Sequence, residues 1–361
     1  MNFHRGDSLH DHISGIPVVI LPEKASLYAD GFQKIAKLGD ELHHAKRAEK
    51  KRRLRVEILR ARLDLSERII NAQLKTLDTN ESALNKLFHD ETESLADKRK
   101  RITHEKARLS EALEKIGKDR SELDKLANRQ YENQFYVKLR KLEGADFDSP
   151  FNFVWYIDFP QIFASKANGA RGGFDIMVGN PPFVTARNPE KRDLWRDRWP
   201  QVCAGKYHLL CPFLALSFDL MRSNGELGFI ISNAFTKREF GKPLIENLFT
   251  KVDLQKVVDC SGLLFPGHGT PTCLTFAAKR APSPSRAIRV VVILPGGGDL
   301  RTPPEESPLW QAIEEQHDRP GYADGRISVD ERPRPEMARW PWNLDVSAEP
   351  TKLLIESNLH R

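Results

Sequence analysis

Apolar positions change their spacing along the chain, and the changes mark out its parts. From about Gly31 to Glu143, leucine and isoleucine stand among charged residues, and no proline occurs in that stretch. Leu95, Ile102, Leu109, Ile116 and Leu123 recur every seventh residue, with Leu113 and Leu126 at the offset positions. A seven-residue repeat keeps one stripe of a helix turned toward a partner, so it predicts a coiled coil. Leu54, Ile58, Leu63, Leu65, Ile69, Ile70, Leu74 and Leu77 form a looser stripe upstream. Asp-Thr-Asn-Glu-Ser at 78–82 offers a break and a new N-cap between the two arms. The expectation is a long antiparallel helical hairpin over 31–143.

Outside the hairpin the pattern becomes one of short apolar runs. Asn2 to His4 and Pro17 to Leu21 read as strands interrupted by Arg-Gly-Asp-Ser-Leu-His-Asp-His-Ile-Ser-Gly. After Gly144 an aromatic segment, Phe151 to Phe163, leads through a glycine-rich turn to Ile176, Met177 and Val178, which read as a short buried strand. A helix over 206–222, a strand over 227–231, a helix over 242–250 and strands over 254–259, 273–277 and 286–294 follow. Strand and helix in alternation predict an open α/β sheet. The Pro- and charge-rich tail from Asp299 reads as a linker. The domain expectation is 1–30, the start of the sheet; 31–143, the helical insertion; 144–295, the main sheet; and 296–361, a linker to a further region.

Charge and cysteine usage narrow the function classes. A net charge of +6 favours polyanionic partners without singling out nucleic acid. Lys46 to Arg62 is the one part of the hairpin with the sign imbalance that phosphate binding wants; elsewhere Asp and Glu are interleaved, as on the solvated face of a coiled coil. Cys203, Cys211, Cys260 and Cys273 show no Cys-x-x-Cys pairing, which argues against a zinc site or disulfide framework and fits a reducing cytoplasm. No apolar run approaches the roughly 20 residues needed to span a bilayer, and the start of the chain has no signal-peptide core.

The chemistry concentrates at Asn180-Pro181-Pro182-Phe183. Two prolines cannot continue a β-ladder, so the strand must end there. An exocyclic amine on an aromatic base is a poor nucleophile because its lone pair is delocalised. Two acceptors, the Asn180 side-chain oxygen and the Pro181 carbonyl, would favour a pyramidal nitrogen able to attack. The prolines stiffen that geometry, and Phe183 would stack on a base flipped out of its duplex. The simple alternative is a strand followed by a tight turn.

Asp-Ile-Met-Val-Gly-Asn-Pro-Pro-Phe, 175–183, resembles the catalytic motif of S-adenosylmethionine-dependent DNA methyltransferases of the N6-adenine type. The surrounding blocks, from Phe151 to Lys279, resemble in order those of large type IIG and related restriction-modification methylases. The resemblance implies a partial Rossmann-like methyltransferase sheet with an inserted helical hairpin, S-adenosylmethionine as cofactor and double-stranded DNA as partner. It implies Asn180, Pro181, Pro182 and Phe183 as catalytic residues, and Gly6 and Asp7 at the end of a strand beside the cofactor's adenine. A Gly-Asp turn is the alternative for that pair. Phe265 would be a second ring on the flipped base, or an ordinary core residue at a strand end. His268, between two glycines, could face the same pocket or be an ordinary loop histidine. Lys237 and Arg238 could reach a phosphate or stand exposed.

The family's aromatic-x-Gly-x-Gly cofactor loop is not found before Asp7, and Arg339 to Leu344 resembles the entry to a target-recognition region. The chain therefore reads as the middle of a larger methylase, completed by an N-terminal segment or working with a specificity subunit. A catalytically inactive methylase fold, kept for DNA binding or assembly, is the rival expectation. A nicotinamide-dependent Rossmann enzyme is excluded by the lack of a Gly-x-Gly-x-x-Gly opening a helix.

Overall fold

The seven-residue stripe forms a helix–helix seam in the computed structural model, which describes residues 11–13, 16–18, 22–87, 93–128, 135–142, 154–163, 172–262, 270–296 and 302–344. The chain divides into two compact units, Met1–Gly172 and Gly173–Arg361.

In the first unit, α1 (Ala29–His44), α2 (Ala48–Leu87) and α3 (Glu93–Ala127) are followed by the short helices α4 (Phe135–Leu142), α5 (Trp155–Asp158) and α6 (Pro160–Phe163). Leu95, Leu109, Ile116, Leu123 and Leu126 are buried, as are Leu54, Leu63, Leu65, Ile69 and Ile70 on α2. Ion pairs show the direction of packing: Arg60 meets Asp124, Arg120 meets Asp64 and Glu67, and Lys106 meets Asp78 and Glu81. As one arm ascends the other descends, so the hairpin is antiparallel.

The break expected at 78–82 is not there, because α2 runs on to Leu87. Asp78 and Glu81 both point at Lys106 of α3 rather than capping a new helix. Thr79 donates its hydroxyl back to the Lys75 carbonyl at 2.9 Å, as a threonine inside a continuous helix does, rather than accepting a backbone N–H as an N-cap would. Cations of the 46–62 run are partly engaged within the unit. Arg62 donates to the buried Asp158 at 2.6 Å, Arg60 to Asp124 at 2.7 Å, and Arg52 lies over the Phe135 ring.

The described part of the aromatic segment expected to open the main sheet, 154–163, carries the helices α5 and α6 and packs on α1, with Tyr156 stacked on Phe32 at 5.7 Å and tilted against Phe163 at 4.4 Å. Near the start, β1 (Asp11–Ile13) pairs antiparallel with β2 (Ile16–Val18). The first lies in the stretch read as an interruption, while Asn2 to His4 falls outside the described residues.

The second unit is a mixed six-stranded sheet among the described residues. Its strands are β3 (Phe174–Gly179), β4 (Met221–Ser232), β5 (Asp253–Asp259), β6 (Thr272–Ala278), β7 (Ile288–Ile293) and β8 (Ile327–Arg332), in the order β3-β4-β6-β5-β7-β8. The β3–β4 and β5–β7 pairs are parallel and the other three antiparallel. Helices α7 (Pro189–Arg198) and α8 (Leu210–Leu220) lie between β3 and β4. The segment Leu244–Phe249 is a π-helical turn where an ordinary helix was expected.

Two sequence readings need correction here. Ile176 and Val178 are not buried: 67% and 82% exposed, they lie on β3, the terminal strand of the described sheet. The tail read as a linker folds, giving α9 (Pro308–Gln316), β8 and the short α10 (Arg334–Met337). Ile327 and Val329 of β8 pack with Leu309 and Ile313 of α9 against Val258 and Val291. Pro308 and Pro335 stand in the first turns of their helices, where a missing N–H is harmless. Asp253, 2% exposed, ties α10 to the sheet by accepting from both Arg280 and Arg334. Trp342 and Leu344, expected at the entry to a target-recognition region, are core residues. Trp342 stacks on Phe249 at 5.9 Å and meets Phe235 edge-on at 5.4 Å.

Candidate functional site

Parallel pairing with β4 carries β3 to its end at Gly179, which stands opposite Phe229. Its lack of a side chain matters, because a Cβ there would lie 2.9 Å from the Phe229 ring. Asn180-Pro181-Pro182-Phe183 leaves the sheet directly after it. Pro181 is buried, Asn180 and Pro182 are exposed, and Phe183 is half-buried.

The chain then folds back on the segment before α8. Leu209 donates to the Val184 carbonyl at 2.9 Å and Ala186 to the Tyr207 carbonyl at 3.1 Å, with Thr185 bridged to His208. This short antiparallel contact brings His208 beside Phe183. Both line a cavity of about 640 Å³. Its other walls come from the ends of β4 (Ser232 and Asn233), β5 (Asp259, Ser261 and Gly262) and β7 (Val292 and Ile293), and from Thr270 and Pro271 entering β6. Ligands of open α/β sheets bind outside the carboxyl ends of strands. Phe183 lines the cavity, while Asn180 stands at the strand end without lining it.

Several local devices shape the walls. Ser232 accepts from the Ala234 N–H at 3.3 Å and so starts a tight turn over Asn233–Thr236. Lys237 and Arg238 follow on the rim, exposed. The backbone of Gly262 passes close to the end of β7, where a Cβ would come within 2.2 Å of the Ile293 carbonyl oxygen. The His208 ring lies flat on Phe240, centroids 3.8 Å apart at 6°. Burial, helped by Arg238, holds the His208 imidazole below the usual histidine range, so it is neutral at pH 7.

A chain of polar side chains crosses one wall. Asp259 accepts from both the N–H and the hydroxyl of Ser261, and the Ser261 oxygen accepts from the Asn233 amide nitrogen at 2.5 Å. With Lys237 and Arg238 against Asp259, and His208 neutral, the cavity is lined by net positive charge.

Of the residues singled out from the sequence, Phe183, Lys237 and Arg238 share this cavity. Gly6, Asp7, Phe265 and His268 lie outside the described residues. His208, Asn233, Asp259 and Ser261 were not anticipated. For the last three a signal existed, since each stands at or just past the carboxyl end of an expected strand; His208 had none. Among the described residues no cluster of metal-ligating side chains occurs, and no helix is long and apolar enough to cross a membrane. The residues anticipated for a cofactor are the undescribed Gly6 and Asp7, so the fit to a methyl donor rests on no described side chain.

The described sheet thus sets Asn-Pro-Pro-Phe at the end of its terminal strand, with Phe183 lining a cavity. The Eco57I restriction-modification methylase family model matches residues 50–265, and the chain belongs to that family. It is similar to the adenine-specific methyltransferase PglX of Streptomyces coelicolor, 38% identical over 48% of this chain and 15% of that protein. It is also similar to a type II restriction enzyme and methyltransferase of Methanocaldococcus jannaschii, described as putative, 26% identical over 45% of this chain and 13% of that one. The chain thus spans less than a sixth of either relative's length. Among solved structures, the type IIG restriction endonuclease BpuSI aligns over 58% of this chain and 25% of that one, at 15% identity and a TM-score of 0.37.

Proposed function

We propose that this chain supplies the base-holding side of a DNA adenine-N6 methyltransferase in a restriction-modification or phage-defence system. The observation that carries the reading is the placement of Asn-Pro-Pro-Phe: it leaves the end of β3 so that Phe183 walls a cavity at the strand ends. A flipped adenine stacks on Phe183, and its amine donates to the Asn180 side-chain oxygen and the Pro181 carbonyl. The buried Pro181 fixes the second acceptor, and the positive rim of Lys237 and Arg238 suits the phosphates flanking the base. S-adenosylmethionine, with Gly6 and Asp7 beside its adenine, would supply the methyl group. The names of the matched relatives support the adenine specificity. An upstream methylase segment or a specificity subunit is part of the same proposal.

The test is transfer of labelled methyl groups from S-adenosylmethionine to DNA by the full-length protein, followed by nucleoside analysis. N6-methyladenine is expected, falling at least about 100-fold in Asn180→Ala, as for loss of a group acting on the reacting centre. Labelled cytosine, or unchanged activity in the variant, would refute it. The exposure of Asn180 outside the cavity lining favours one second reading, an inactive methylase fold retained for DNA binding or assembly. That reading predicts DNA binding without methyl transfer.

A further inference from the structure

We infer that Asn233 is a specificity-determining residue for the flipped base, held in position by Asp259 through Ser261; this rests on the adenine reading above. A serine hydroxyl has one proton. Here that proton goes to the Asp259 carboxylate, which also accepts the Ser261 N–H at 2.9 Å. The Ser261 oxygen can then only accept from its other neighbour, so the group facing it must be the nitrogen of the Asn233 amide, at 2.5 Å. The carboxylate therefore sets which way the amide faces, two hydrogen bonds removed from it.

An amide nitrogen carries two protons, and one is committed to Ser261. The second, together with the carbonyl oxygen, has no partner among the described residues, and Asn233 lines the cavity that Phe183 walls. The backbone of Asn233 is itself pinned, donating to the Pro271 carbonyl at 3.0 Å. The result is a preoriented N–H donor in a pocket for an aromatic ring. A base stacked on Phe183 with its amine at Asn180 turns its remaining edge inward, where adenine offers only acceptors at its ring nitrogens. Asn233 donates to one of these. A base carrying a ring N–H at that place would meet the donor head-on and leave it unpaired, which is how a buried polar group rejects a wrong substrate.

The experiment uses the full-length protein and a duplex containing the site it methylates, with the target adenine replaced in turn by its 1-deaza, 3-deaza and 7-deaza analogues. In the wild type, one of the three is expected to lower kcat/KM about tenfold beyond the others, the worth of one hydrogen bond. In Asn233→Ala that extra penalty disappears, while natural adenine loses about tenfold. Ser261→Ala behaves as Asn233→Ala does, and Ser261→Thr, which keeps the hydroxyl, restores the penalty. A merely structural role would lower all substrates together. Equal penalties in the wild type and in Asn233→Ala overturn the inference but leave the methyltransferase reading standing. A wild-type protein that methylates no adenine overturns both.

Discussion

Replacing Gly179 by alanine tests whether the sheet positions Asn180. The added Cβ would stand 2.9 Å from Cε1, 3.0 Å from Cζ and 3.4 Å from Cδ1 of Phe229. Carbon atoms sit comfortably at about 3.5–4.0 Å, so ring or strand must retreat by roughly half an ångström or more. Phe229 is 5% exposed and paired with Thr275 on its far side, which leaves it little room. Overpacking of this kind costs about 1–3 kcal/mol, opposed by the 0.5–1 kcal/mol or so that alanine gains over glycine within a strand. If the strand gives way instead, Asn180 moves, and a displacement near 1 Å costs on the order of 100-fold in rate.

Phe229→Leu removes the two nearest ring atoms, so it should relieve the clash. The assay is a double-mutant cycle on Gly179→Ala and Phe229→Leu, read by urea unfolding and by methyl transfer to DNA. The expected outcome is a favourable coupling above about 0.5 kcal/mol, with part of the lost activity recovered in the double variant. Strictly additive effects, with no recovery of rate, would refute the argument that the Gly179–Phe229 contact places the motif.

Other outcomes follow from the same physical reading. His208 has its folded-state pKa held below the ordinary value of 6.5, so its contribution to stability is complete above that pH. That contribution is lost as pH falls toward the folded pKa, because the unfolded chain takes up the proton first. Between pH 7 and 5 the wild type should therefore lose more stability than His208→Phe, measured by urea midpoints; parallel losses would contradict it. Arg334→Ala leaves the buried Asp253 with Arg280 alone and should cost about 1.5–3 kcal/mol in chemical denaturation. A cost under about 0.5 kcal/mol would show that α10 is held by packing. Leu109→Ala, at a 1% exposed position of the α2–α3 seam, should cost about 2–5 kcal/mol, with circular dichroism following the loss of helix.

How much of this was legible depended on whether the signal was local and repeated. The hairpin was legible because a stripe of leucine and isoleucine over several heptads has one low-energy arrangement, and β4 to β7 because β-branched runs were bounded by turn residues. The tail from Asp299 misled because its prolines and charges imitate a linker; only Ile327 and Val329 alternate, and their burial depends on β7 and α9 being present. The expected helix break failed for the opposite reason, since Lys106 lies far away in sequence and claims Asp78 and Glu81. At the candidate site, the strand end before Asn-Pro-Pro-Phe could be read directly, because two contiguous prolines stop a ladder. His208 could not, because its place beside Phe183 comes from a two-strand contact between 184–186 and 207–209 that leaves no local pattern.

All four cysteines are buried, and their thiols are pushed upward by that burial, those of Cys211 and Cys260 to about 12. Alkylating dyes react with thiolates, so the folded protein should stay unlabelled by a maleimide at neutral pH. Val184, 54% exposed and next to the cavity-lining Phe183, then becomes a clean attachment point: Val184→Cys would carry a single fluorophore one residue from the cavity wall. A change in its emission on adding DNA would report the base binding proposed for this cavity, without first removing a native thiol.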